Sequence, residues 1–206
     1  MRLFFDIIGK FSELTYDTKK PSGQDSFLFK EQHMENIILI GMPGVGKSTA
    51  GVVLAKVLGY KFIDADLLIQ QEEKRLLHEI ISQEGTEGFL AIENRVNAGI
   101  EADRAVIATG GSVVYGAEAM AHLKAIGTVV YLKLPYETLE KRLHNIKGRG
   151  VVLKDGQTLR DLYEERVPLY EKYADIIVEE ENCNVEQTIE IIAGAYASRN
   201  KKPQNA

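Results

Sequence analysis

Residues 41–48 read Gly-Met-Pro-Gly-Val-Gly-Lys-Ser, between a strand-like run, NIILI at 36–40, and a helix-like segment at 47–58. No other feature of the chain constrains its fold as tightly. The spacing G-x-x-x-x-G-K-[ST] belongs to a loop that joins a strand to a helix and turns backbone N–H groups inward around an anion. Gly41, Gly44 and Gly46 allow that turn, and Val45 contributes a backbone N–H within it. The helix that begins at Lys47-Ser48-Thr49 adds its partial positive charge at the same place. Lys47 can reach the β- and γ-phosphates of a nucleotide, and the Ser48 hydroxyl can sit on Mg²⁺. The motif indicates a nucleoside triphosphate and is silent about what else binds.

From residue 36 onward, strand-like and helix-like segments alternate. Short apolar runs rich in Ile and Val predict strands at 36–40, 61–63, 105–108, 128–132 and 176–178. Between and after them, helical patterns cover 47–58, 65–72, 76–84, 87–101, 117–125, 136–144, 158–173 and 185–197. That alternation predicts an α/β domain with a parallel sheet, helices on both faces and right-handed crossovers. Ligands in such sheets gather at the carboxyl ends of the strands.

Composition narrows the class. The chain has 206 residues, 45% of them hydrophobic and 27% charged, with a net charge of -5. An acidic chain without a basic block is a poor nucleic-acid binder. No apolar run reaches the roughly 18 residues a membrane helix needs. The start, MRLFFDIIGKF, is apolar but broken by Asp6 and Lys10 and has no small-residue cleavage site. Cys183 is the sole cysteine, which suits a reducing compartment and a cytoplasmic location. Residues 1–34 are polar, turn-rich and aperiodic, and read as a disordered, dispensable N-terminal extension. Residues 35–206 form one domain, expected to be monomeric and to bind small molecules rather than nucleic acid or membrane.

Two further clusters fall where strands end, and a third lies between two helices. Phe62-Ile-Asp-Ala-Asp66 closes the second strand. Of its two carboxylates, one can sit near the metal and the other can orient an acceptor hydroxyl and take its proton. Either could instead cap the helix that follows. Ile107-Ala-Thr-Gly-Gly-Ser112 closes the third strand, and Gly110 and Gly111 allow close backbone approach to a ligand. Residues 145–157 hold Lys147, Gly148, Arg149, Gly150, Lys154 and Gly156, a basic, glycine-rich loop suited to closing over phosphates. Arg166 precedes Pro168, which predicts a helix end or kink there.

Taken together, the phosphate loop, FIDAD, IATGG and Glu165-Arg-Val-Pro-Leu-Tyr170 resemble, in order and spacing, the motifs of the shikimate kinases over residues 35 to about 195. The resemblance implies a nucleoside-monophosphate-kinase-like, three-layer fold with strand order 2-3-1-4-5 and a mobile lid at 145–157. It implies ATP-dependent phosphorylation of one ring hydroxyl of shikimate, a step of aromatic amino acid biosynthesis. Lys47 and Ser48 then match the phosphate and Mg²⁺ residues, and Asp64 the acidic residue near the metal. Asp66 matches the residue that binds acceptor hydroxyls, and Gly110 and Gly111 the glycines of the substrate pocket. Arg166 matches an arginine that pairs with the substrate carboxylate, Arg149 the lid arginine on the transferring phosphate, and Arg142 the arginine near adenine.

The departures lie on the acceptor side. The family's Glu-x-Phe-Arg-x-x-Glu run is Glu87-Gly-Phe-Leu-Ala-Ile-Glu93 here, so Leu90 stands where one of two carboxylate-binding arginines is expected. Arg95 is five positions on, which turns it roughly 140° from that helix face. Ser112 stands where the family has a third glycine, and Arg149-Gly-Val-Val152 where it has Arg-Pro-Leu-Leu. One lost charge-assisted hydrogen bond is worth roughly 1.5–3 kcal/mol. Leu90 therefore leaves weak shikimate binding, another cation, or a less acidic polyol as readings, beside plain helix packing against Phe89, Ile92 and Val96. A catalytically silent nucleotide-binding module is the alternative from another class.

Overall fold

A computed structural model of the chain describes residues 36–143, 156–181 and 183–200. The expected extension at 1–34 and nearly all of the expected lid, Arg149 included, lie outside the described residues. The first half runs β1 (Asn36–Ile40), α1 (Lys47–Leu58), β2 (Lys61–Asp64), α2 (Ala65–Glu73), α3 (Leu77–Ala98) and β3 (Ala105–Ala108). A 3₁₀ turn (Val113–Tyr115) follows, then α4 (Ala117–Ile126), β4 (Gly127–Lys133), α5 (Tyr136–Arg142), α6 (Leu159–Tyr173), β5 (Ile176–Glu179) and α7 (Val185–Asn200).

The five strands form one parallel sheet in the order β2-β3-β1-β4-β5, as the family resemblance implies. Ile38 of β1 lies beside Ile107 of β3 on one side and Val129 of β4 on the other. All five residues of β1 are buried, which is why that strand reads as an unbroken apolar run. Chain direction then sorts the helices. The β1-to-β2 connection steps toward one edge of the sheet, whereas every later connection steps the other way. Right-handed crossovers therefore put α1 on one face and α2 to α6 on the other. Packing agrees: α1 lies on β2, β3 and α7, while α3 lies on α4, and α4 and α6 lie on β4.

Two features of the helices match expectation. The helical segments read at 76–84 and 87–101 meet at a kink inside the stretch labelled α3, where Gly85 is non-helical at φ 70 and ψ -175. A glycine accepts that conformation at no steric cost, so the chain changes direction and a second helical segment begins. Pro168 lies inside α6, Leu159–Tyr173, which matches the helix expected over 158–173 and continues past the proline. The ring removes one N–H donor, but neighbouring packing holds the remaining turns.

At the base of the sheet, the side chain of Asn36 ties three chain segments to β1. Its Nδ2 donates to Ala102 O at 2.8 Å and Ile126 O at 2.9 Å, and its Oδ1 accepts from Ala105 N at 2.9 Å. It is 2% exposed, so truncation would strand those backbone groups away from water. Asn36→Ala should cost roughly 2–4 kcal/mol in chemical denaturation. A loss below about 0.5 kcal/mol, the usual scatter of neutral substitutions, would contradict this role.

Candidate active site

The loop after β1 is built by backbone conformation. Gly41, Gly44 and Gly46 have φ of 144, 79 and 114, values an L side chain rarely adopts. A Cβ at Gly41 would stand 2.6 Å from Leu132 O, so this position is closed to side chains on steric grounds as well. Val45 turns its side chain into the core and its carbonyl toward Arg142, whose Nη1 donates to it at 3.1 Å. Arg142 thus ends α5 against the loop, with Glu180 at 4.0 Å. Thr49 is exposed at the mouth of the cleft on the first turn of α1.

Lys47 folds back over the loop. Its ammonium donates to Gly41 O at 2.8 Å and Met42 O at 3.0 Å. The side chain is 8% exposed, and burial lowers its pKa to about 8, with Asp66 pulling the other way. Ser48 Oγ donates to Asp64 Oδ2 at 2.9 Å. The other oxygen of Asp64 accepts from Asp66 N at 3.1 Å and Leu67 N at 3.4 Å, capping α2. The sequence left capping and a metal-side role as alternatives for this pair. Asp64 is the cap, and through its second oxygen it also pairs with the serine.

Asp66, one turn into α2, faces the cleft instead. Burial raises its pKa, and the Lys47 ammonium opposes that rise. The Gly110-Gly111 turn packs against it from β3. A Cβ at Gly110 would lie 2.2 Å from Glu93 Oε1 and 3.0 Å from Asp66 Oδ1, and one at Gly111 would meet Pro43 at 2.7 Å. Both glycines are thus required by close approach, as expected from the sequence, though by side chains of this chain. The turn is pinned at each end: Thr109 Oγ1 donates to Leu39 O at 3.0 Å, and Tyr170 Oη donates to Gly111 O.

Arg166 is 2% exposed, far more deeply placed than a surface salt bridge. Its guanidinium lies 5.2 Å from the Tyr115 ring centre, and its Nε donates to Tyr115 Oη at 3.3 Å. Tyr115 Oη in turn donates to Glu165 Oε1 at 2.9 Å, and Gln157 Nε2 donates to the same carboxylate at 2.7 Å. Arg166 is therefore oriented by a relay that ends at Gln157, the last residue of the segment expected to form the lid.

These groups enclose a cleft of about 330 Å³, lined by Lys47, Ser48, Asp66, Glu93, Gly110 and Gly111 among others, with Phe89 and Leu77 as its apolar wall. Of the expected site residues, Gly44, Gly46, Lys47, Ser48, Thr49, Asp66, Gly110 and Gly111 line one cavity. Arg166 stands just behind Gly111, its Nη1 3.2 Å from where a Cβ would be. Leu90 does not line it. That side chain is half-buried with Ile69, Ile80, Phe89 and Val96 in an apolar cluster between α2 and α3, which favours the packing reading. Arg95 is on the outside of α3, paired with Glu72 at 3.0 Å and Glu73 at 2.6 Å, so it supplies no cation to the cleft.

Glu93 is the functional candidate that sequence reasoning missed. It is 1% exposed, and neither carboxylate oxygen has a hydrogen-bond partner of ordinary geometry. Burial pushes its pKa up to about 7. The Ser112 hydroxyl opposes this, though too loosely placed for a full hydrogen bond, and Asp66 adds to it. The available signal was its spacing: Phe89 and Glu93 are four residues apart on one helix and share a face.

Three comparisons bear on this geometry. The family model described as "SKI: Shikimate kinase" matches residues 43–195. A shikimate kinase of Clostridium botulinum (strain Loch Maree / Type A3) is 40% identical over 167 residues, 79% of this chain and 96% of that protein. One from Persephonella marina is 33% identical over 162 residues, 78% and 98% of the two chains. The solved structure of shikimate kinase from Acinetobacter baumannii in complex with shikimate superposes with a TM-score of 0.75 at 32% identity, covering 83% of this chain and 97% of that one.

A stability test follows from Glu93. A carboxyl whose folded pKa is raised from 4.5 to about 7 contributes fully below pH 4.5 and loses stability as pH rises toward 7. Glu93→Gln removes the ionisation. Relative to the parent chain, the variant should therefore gain about 3 kcal/mol between pH 4.5 and 8. Denaturant melts at the two pH values check this, and an unchanged difference would show that Glu93 ionises without cost.

Proposed function

The chain belongs to the shikimate kinase family, and from that premise we propose that it transfers the γ-phosphoryl group of ATP to a ring hydroxyl of shikimate, giving shikimate 3-phosphate. One observation carries this reading. A single cleft joins a phosphate loop with Lys47 and Ser48 to a half-buried carboxylate, Asp66, and is backed by a buried guanidinium, Arg166. The backbone amides of residues 41–49 cradle the nucleotide phosphates, and Lys47 exchanges its loop carbonyls for phosphate oxygens. Arg142, which donates to Val45 O, is assigned to the adenine side on the family pattern. Asp66 accepts the proton of the acceptor hydroxyl, and the raised pKa that burial gives it suits a group that must take one up. Arg166 pairs with the acceptor carboxylate, and the Gly110-Gly111 backbone holds the ring. Arg149 and the rest of 145–157 are assigned to the lid over the transferring phosphate on the family pattern alone.

Ser48 and Asp64 fit Mg²⁺. A hydroxyl and a carboxylate oxygen 2.9 Å apart at the foot of the phosphate loop are a hard, oxygen-only pair that leaves most positions for phosphate and water. Held by Ser48 and Asp64, the ion would neutralise part of the charge on the nucleotide phosphates. We assign the protein to the cytoplasm as a monomer; among the described residues no helix is long and apolar enough to cross a membrane.

A panel of acceptors scored by ADP release, shikimate included, tests the reading, because a neutral polyol is the second candidate while Leu90 and Arg95 add no cation to the cleft. Lys47→Ala should lower kcat at least about a hundredfold; a variant close to parental turnover would refute the phosphate-loop assignment. Asp66→Asn should lower turnover by about two to four orders of magnitude and leave ATP affinity, read by calorimetry, largely intact. Joint loss of both would move Asp66 to the nucleotide side.

A further inference from the structure

Four buried or half-buried charges face or back the cleft: Lys47, Arg166, Asp66 and Glu93. With both carboxylates ionised they cancel. An acceptor carrying its own carboxylate brings a third anion to two cations, and bound nucleotide phosphates would claim Lys47 for themselves. Neither position that could supply a second cation does so: Leu90 packs into the α2–α3 cluster and Arg95 is committed to Glu72 and Glu73. A surplus buried anion is too costly to persist, and a group that can protonate does so. Asp66 has Lys47 as its counter-charge and must stay ionised to act on a hydroxyl. Glu93 is the deeper of the two and has no hydrogen-bond donor on either oxygen.

Taking shikimate as the acceptor, we propose that Glu93 is a specificity-determining residue that admits the anionic acceptor only as the neutral carboxylic acid. Its proton takes the place of the missing second cation, so acceptor binding and proton uptake are one event. The neutral acid is also a donor, and its O–H can be given to an acceptor oxygen. The groups that face Glu93 support a titration within the working range. Lys47 from α1 and Arg166 from α6 favour the anion, Asp66 from α2 disfavours it, and Ser112 and Tyr170 border it without charge. From α4, Glu118 is taken up by Asn94 and His122 by the Ile100 carbonyl, so neither reaches the cleft. With burial the largest influence, these together bring the carboxyl to about 7.

The test is the pH dependence of KM for shikimate at saturating ATP, in the parent chain and in Glu93→Gln. If only the protonated form binds, KM rises about tenfold between pH 6 and pH 8 for a group titrating near 7. Glu93→Gln, permanently neutral, should lose that rise and keep the low value at pH 8. A slope common to both proteins belongs to Lys47, whose own titration near 8 is shared. Equal slopes overturn the proposal. Calorimetry on the parent chain, in buffers of different ionisation enthalpy, gives a reading that does not depend on the variant folding. At pH 8, binding of shikimate should take up close to one proton. Turnover of shikimate with no proton uptake overturns the role of Glu93 and leaves the acceptor standing. No turnover of shikimate at any pH overturns both.

Discussion

Burying the ammonium of Lys47 is the constraint around which the rest of the site is arranged. A lysine that is 8% exposed must be compensated, and the loop carbonyls of Gly41 and Met42 do so at close range. Those carbonyls point inward only because Gly41, Gly44 and Gly46 hold conformations closed to other residues. The carboxylate of Asp66 offsets part of what remains, and that requires β2 to end where it does. Asp64 then serves both sides of the junction, capping α2 with one oxygen and receiving Ser48 on the other. A charge placed for phosphate chemistry thus sets the geometry of two loops and one helix start.

The opposite wall is held by neutral and charged hydrogen bonds of α6. Tyr170 stacks on Tyr131 with ring centres 5.0 Å apart and reaches the Gly111 carbonyl, so the glycine turn is fastened to the core of the sheet. Four residues earlier, Arg166 is fixed by Tyr115 and, through it, by Glu165 and Gln157. The spacing of Arg166 and Tyr170 along one helix face makes these contacts a single unit. Gln157 is the last residue of the segment assigned to the lid. The orientation of the buried guanidinium is therefore tied, by hydrogen bonds, to the chain that would move.

Much of this was legible from residues alone, for identifiable reasons. The parallel strands announce themselves because burial on both faces demands unbroken runs such as Asn36–Ile40. The phosphate loop is legible because its chemistry resides in backbone geometry, which glycine spacing records directly. The break near Gly85 was legible as a boundary between two helical segments, which meet at a kink there. The helix over 158–173 was legible through Pro168: a missing donor weakens a helix locally, but the side chains of Leu162, Arg166 and Tyr170 remain buried on one face and carry it through.

What the sequence determined by itself was the fold class and the identity of the nucleotide half of the site, because each follows from local patterns of period, turn and spacing, whereas the strand order came only through the resemblance to a family. What only the tertiary structure decided was the charge state of the acceptor half. Whether Asp64 caps or coordinates, whether Leu90 lines a cleft or fills an apolar cluster, and whether Arg95 faces inward depend on which helix packs beside which. Glu93 shows the difference most sharply. In sequence it is one more acidic residue on a polar helix, whereas in the fold it is sealed from water beside Asp66 without a donor. Ionisation responds to the surrounding medium and to charges distant in sequence, and those exist only once α2, α3 and α6 have closed around the end of the sheet.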